Sequence, residues 1–187
     1  MRAGRRWAVV AVVAATAAGC AATGGGHRVD GAEAARRTAV LASRVSLEEA
    51  AAYAESTGEA IRGAISVAVP VGTWRPNRPP SGAGNCTGFT HTPGQSRTTG
   101  TWLIDGGIPD DLWPDAVAAL RSVTDRRGYG APVVAVDRPS DHALRVYGPG
   151  GAYVWFGTGK NGVLDVTTAC HLPASTPPGP VPVVGAR

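Results

Sequence analysis

The stretch Pro132–Cys170, PVVAVDRPSDHALRVYGPGGAYVWFGTGKNGVLDVTTAC, decides the fold class. Pro132 to Asp137 is a short apolar run. Ala143 to Tyr147 and Ala152 to Phe156 flank Gly148-Pro149-Gly150-Gly151, which has the composition of a hairpin loop. Gly157 to Gly162 makes a second turn, and Val163 to Cys170 reads as a last strand. On the hairpin, Tyr147, Tyr153 and Trp155 share one alternation parity, and Val146, Val154 and Phe156 share the other. One face therefore buries Val and Phe while the other presents Tyr and Trp. Either a helix layer covers those rings or they form an exposed aromatic platform. The N-terminal helix needs a partner surface, which favours burial. The three rings, with Arg145 beside them, are the candidate binding surface.

Toward the N-terminus, Asp110 or Asp111 starts a helix with Pro114 in its first turn. Leu112, Ala116, Leu120 and Val123 face inward, and Gly128 or Gly130 ends it. Arg97 to Asp105 (RTTGTWLID) reads as a strand. Residues 70–97 read as loop, because Pro76, Pro79 and Pro80 with Gly82, Gly84 and Gly88 exclude a helix and argue against a central strand. Ser46-Leu47-Glu48-Glu49 matches a capping box, in which the serine side chain takes an orphan N–H and the glutamate reaches back. Leu47, Ala50, Ala54, Gly58, Ile61, Ile65 and Ala68 follow at spacings of three and four, drawing one stripe along an amphipathic helix over 47–66. Pro70 stops it. Ala32 to Arg44 is also helical in composition. These segments predict an α+β domain over 32–172: an N-terminal amphipathic helix and a second helix packed on a mostly antiparallel sheet of about five strands. The Pro-rich residues 173–187 are expected to form a disordered tail.

The first twenty residues, MRAGRRWAVVAVVAATAAGC, give an address. Arg2, Arg5 and Arg6 form a basic start, and Trp7 to Ala18 an apolar run too short for the ~20 residues that a spanning helix needs. Residues 1–19 read as a signal peptide whose small-residue exit runs into Cys20. That ending resembles the lipobox of bacterial lipoproteins, with Ala17 where leucine usually stands. It makes Cys20 the candidate lipidation site and 20–31 a flexible tether. The simpler alternative is an ordinary secretory signal with an incidental cysteine. The chain carries 18 Lys+Arg against 14 Asp+Glu, but three arginines leave with the signal. The mature chain is then close to neutral, with no basic cluster for nucleic acid.

Two cysteines remain, Cys86 and Cys170, and an even pair in an exported chain reads as a disulfide; two free buried thiols or a reactive cysteine are the alternatives. Chemical motifs are sparse. Gly157-Thr158-Gly159-Lys160-Asn161-Gly162 spells GxGxxG, yet a strand follows it rather than the helix that a dinucleotide needs, so it reads as a hairpin turn. His27, His91, His142 and His171 share no zinc-ligand spacing, and no GxSxG elbow is present. No metal, cofactor or catalytic residue is assigned. Asp105, Asp110, Asp111 and Asp115 surround a helix start, where acidic groups complement the dipole.

A lipobox, an Ala-rich helix ending in Ile65-Ser66-Val67-Ala68-Val69-Pro70, and Gly72-Thr73-Trp74 directly after it stand together in this chain. Cys86 in the next loop, Tyr129-Gly130 closing the central helix and Cys170 ending the last strand complete the set. Over about 45–172 this set resembles the LppA-type lipoproteins of mycobacteria. The resemblance implies a cell-envelope lipoprotein with no established activity and no catalytic residues to transfer. The sequence thus predicts an acyl-anchored module on the extracytoplasmic face of the cell membrane, binding an envelope ligand or protein. An envelope hydrolase using His91 or His142 with Asp105 or Asp137 is the alternative, and a structural partner of a membrane complex is a third.

Overall fold

The computed structural model describes residues 31–70 and 72–176, without the side chains of 83–85. The signal peptide, Cys20, the tether before Gly31, and residues 177–187 lie outside the described residues.

Among the described residues, three α-helices and eight strands make up the domain, where about five strands were expected. Helix α1 is Gly31–Ala42 and α2 is Leu47–Ala68. Strands β1 (Trp74–Arg78), β2 (Ser81–Asn85), β3 (Gln95–Thr98) and β4 (Thr101–Asp105) precede α3 (Trp113–Thr124). Strands β5 (Pro132–Arg138), β6 (Asp141–Tyr147), β7 (Tyr153–Thr158) and β8 (Asn161–Thr167) follow.

The capping box at α2 forms in both directions: the Glu49 N–H donates to Ser46 Oγ at 3.2 Å, and the Ser46 N–H donates to Glu49 Oε2 at 3.0 Å. The cap at Val69 still donates its N–H to Ile65 O, and Pro70, which has no N–H, follows it. Helix α3 starts later than Asp110 or Asp111. Pro109 to Leu112 form a turn in which the Leu112 and Trp113 N–H groups both donate to Pro109 O at 3.0 Å. Neither aspartate caps the helix, whose first turn holds Pro114.

The sheet runs β1-β4-β8-β7-β6-β5, and each described strand pair is antiparallel. The β2–β3 hairpin joins it through a single register pair, Thr98 with Thr167. Three strands thus arise where a loop was read over most of 70–97. Pro76 is tolerated because β1 lies at the outer edge, where a missing donor breaks no ladder. The expected strand 97–105 is two strands, broken at Thr99-Gly100. There the Thr99 N–H crosses to Val166 O at 2.8 Å, while Gly100 comes so close to Arg78 that a Cβ would sit 3.0 Å from its carbonyl oxygen.

Helices α2 and α3 cover one face. Ile61 and Ile65 of α2 and Ala116, Leu120 and Val123 of α3 pack with Val146, Val154, Phe156, Leu164 and Val166. Burying side chains of this size is the main favourable term, at about 1.5–3 kcal/mol each for the larger ones. The alternation read on the hairpin therefore holds, but the expected burial of the aromatic face does not. The core helices pack on the Val/Phe side, and over Tyr147, Tyr153 and Trp155 stands the guanidinium of Arg145. A single sheet needs one apolar face covered, and the helical stripe matches the aliphatic side.

A smaller cluster closes one end of the domain. Cys86 and Cys170 form a disulfide with Cα atoms 5.7 Å apart, packed with Leu41 of α1, Phe89 and Leu172. The described residues end in a turn at 173–176, where the Ala174 N–H donates to Glu48 Oε2 at 2.9 Å.

Candidate ligand-binding site

A half-open cleft of about 370 Å³ lies at the end of the helix layer. The first two turns of α2 supply Glu49, Ala50, Tyr53 and Ala54, and the chain after α3 supplies Arg127 and Tyr129. The β6–β7 loop adds Pro149 and Ala152, and the segment after β8 adds Thr168, Ala169 and His171. Its placement follows from local chemistry. Gly128 takes a left-handed conformation (φ 74°) after the short 3-10 turn Asp125–Arg127, and this reverses the chain so that Tyr129 folds back on the loop. Tyr129 lies against Gly148 so closely that a Cβ there would be 2.7 Å from the ring.

Tyr53, Arg127, Tyr129 and His171 are among the polar side chains that line this cleft. Arg127 is held by Thr57 Oγ1 at 2.8 Å and Ser56 Oγ at 3.1 Å, and its guanidinium stands 4.9 Å from the centre of the Tyr53 ring. The His171 ring donates its Nδ1–H to Val45 O at 2.9 Å, because a carbonyl can only accept. Burial holds His171 below the ordinary histidine range, Val45 O opposes this and Arg44 adds to it. The neutral ring then carries its lone pair on Nε2. Burial also pushes the Tyr129 phenol up, helped by Tyr53 and opposed by Arg127, so the hydroxyl stays protonated at neutral pH. Neither His171 Nε2 nor the Tyr129 hydroxyl makes a hydrogen bond among the described residues.

The residues singled out in the sequence gather elsewhere. Arg145, Tyr147, Tyr153 and Trp155 do come together, on the uncovered face of the sheet. The Arg145 guanidinium lies 4.6 Å from the Tyr153 ring centre, 5.2 Å from Trp155 and 5.8 Å from Tyr147. Its Nη1 donates to Tyr147 Oη at 3.3 Å, while its Nε, though buried, has no acceptor. Asp165 follows Trp155 across the sheet; burial raises its carboxyl above the usual range, and Arg145 pulls the other way.

Of the alternative catalytic pairs, only His142 and Asp137 meet, Nδ1 to Oδ1 at 2.9 Å. Asp110 contacts the other ring nitrogen at 3.2 Å, so the ring bridges two carboxylates. The ring stacks on Trp113, which stacks on Phe156, and the group ties the β5–β6 turn to the start of α3. Asp105 instead receives a paired contact from Arg75, which holds its carboxyl below the usual range. His91 stands alone in the loop before β3. Among the described residues, no helix is long and apolar enough to cross a membrane.

Fold and site together define a disulfide-closed α+β domain with a helix-covered sheet and a cleft at one end. Residues 22–174 match the family model of LppA, described as a lipoprotein confined to pathogenic Mycobacterium. The chain belongs to the LppA family. Among solved structures, it resembles LppA of Mycobacterium tuberculosis with a TM-score of 0.65 at 16% identity, covering 79% of this chain and 92% of that one. It also resembles a DUF4853 family protein of Actinomyces odontolyticus, with a TM-score of 0.51 at 20% identity over 73% of this chain and 74% of that one. At these identities the likeness is one of fold. Among curated proteins, none matches this chain.

Proposed function

We propose that this chain is an acyl-anchored, extracytoplasmic ligand-binding lipoprotein. Cys20 is the anchor, residues 21–30 the tether and the cleft at Tyr53 and Tyr129 the binding site. The cleft is the observation that carries the reading: a concave, apolar-lined space in the size range of small-molecule sites, with a few convergent polar groups. Its chemistry fits a small, largely apolar ligand with one polar end. Tyr53, Pro149 and Ala152 offer apolar surface, while Tyr129 and His171 Nε2 offer a hydroxyl and an acceptor. Two acyl chains on Cys20 give stable anchoring where a single chain is marginal. Replacing Cys20 by Ala is expected to move the protein out of the membrane fraction.

Native mass spectrometry tests the binding. The domain from Ala21 onward, isolated from its own host's envelope, is expected to carry a small-molecule adduct that is lost on denaturation. Tyr129→Phe, which keeps the ring against Gly148 and removes only the hydroxyl, should reduce the adduct. A bare mass for the unaltered chain, or a protein in place of the adduct, refutes the ligand-binding reading.

A further inference from the structure

We propose that the uncovered face of the sheet is a second binding site, specific for a neutral saccharide chain, with Arg145, Trp155 and Asp165 as its polar and stacking groups. The site does not depend on the cleft, which lies at the end of the helix layer.

The register sets the geometry. Arg145 of β6 is directly opposite Trp155 of β7, which is directly opposite Asp165 of β8, so the three form one row across the sheet. Two strand spacings put the ends of that row about 10 Å apart. Tyr147 and Tyr153 form the next row, opposite each other, with ring centres 6.4 Å apart. On the other side the row is low, with Ala143 opposite Gly157 and Gly157 opposite Val163, so the indole has no bulky neighbour there.

The polar groups of the row choose the ligand. Arg145 offers its guanidinium Nη groups, one of which already donates to Tyr147 Oη, while its Nε is buried out of a ligand's reach. The Asp165 carboxylate, two strands away, accepts no hydrogen bond among the described residues. An anion would satisfy Arg145 but meet the charge of Asp165; a cation would do the reverse. A hydroxyl both donates and accepts, so a neutral polyol serves both groups at once. The C–H faces of a sugar ring also suit the electron-rich faces of Trp155 and the tyrosines. Tyr147 is exposed and Tyr153 and Trp155 are half-buried on this sheet face, which suits a chain lying across it better than an enclosed small molecule.

The test uses the full chain in detergent with four probes: cellohexaose, maltohexaose, a neutral mannohexaose and dextran sulfate. Binding is read by tryptophan fluorescence and by retardation on gels containing the polymeric forms. At least one neutral hexasaccharide is expected to bind. Trp155→Ala should weaken it at least tenfold, with Trp155→Phe intermediate, and both Asp165→Asn and Arg145→Gln should weaken it. Tyr53→Ala, in the cleft, should leave it unchanged. Trp155→Phe and Asp165→Asn keep the test valid if Trp155→Ala fails to fold. The proposal is overturned if no neutral hexasaccharide binds. It also fails if only dextran sulfate binds, with loss on Arg145→Gln and indifference to Asp165→Asn, because the face is then an anion site. Self-association abolished by Trp155→Ala, without saccharide binding, overturns it in favour of a contact between copies of this chain.

Discussion

Gly148 and Tyr129 define each other's positions at the mouth of the cleft. The backbone of Gly148 is ordinary extended chain (φ −106°, ψ −177°), so any residue could adopt it; only the ring excludes a side chain. Gly148→Ala forces the Tyr129 ring, which is fully engaged in the core cluster, to move. We expect a loss of about 1–3 kcal/mol, as for other overpacking changes, read by chemical denaturation together with shifted Tyr129 ring resonances. His171 makes a pH prediction. Its folded value lies below its unfolded one of about 6.5, so the unfolded state binds the extra proton. The stability that depends on the neutral ring is present above that value and falls as the pH drops below it. A His171→Gln variant should lose this segment of the stability–pH curve; an unchanged slope between pH 7 and 5 would contradict the assignment. Neither contact was legible in the sequence. Gly148 read as one more hairpin glycine and Tyr129 only as the close of the central helix, while Tyr53, beside the apolar stripe, was not singled out at all.

At the level of elements, local chemistry and neighbours contributed unequally. The capping box of α2 was legible because both partners lie within four residues, and its stripe because burial repeats with the helical period. Thr57 joins that stripe and Ala68 leaves it: in the last turn the buried positions are Ile65 and the cap Val69, and Ala68 is exposed. Ser46→Ala should cost about 1 kcal/mol, whereas Asp111→Ala beside α3 should cost almost nothing, because Asp111 caps no helix. Thermal melts of the two variants side by side check the contrast. The strands between 70 and 97 were not legible. Proline and glycine mark a loop by local rules, and only a neighbour, β4 for β1 and β8 for β3, makes those residues strand.

For the whole molecule, the disulfide is the long-range tie. It joins the β2–β3 excursion to the end of β8 across a separation of 84 residues. Replacing both cysteines by alanine should cost about 3–5 kcal/mol, the upper part of the range following from the length of the closed loop. Denaturant midpoints of the oxidised wild type and the double variant check it. Amide exchange should rise first in α1 and β3, since Leu41 and the segment facing His171 depend on that cluster.

The sequence by itself determined the α+β class, the two faces of the hairpin, the α2 cap and stripe, and the cysteine pair, because each is written in short-range periodicity or in counting. Only the tertiary structure decided which face the helices cover, that eight strands share one sheet, and that Tyr53, Arg127, Tyr129 and His171 line one cleft. The reason is the same in each case: these features are contacts between residues far apart in the chain, and a local pattern records a residue's preference without recording its partner.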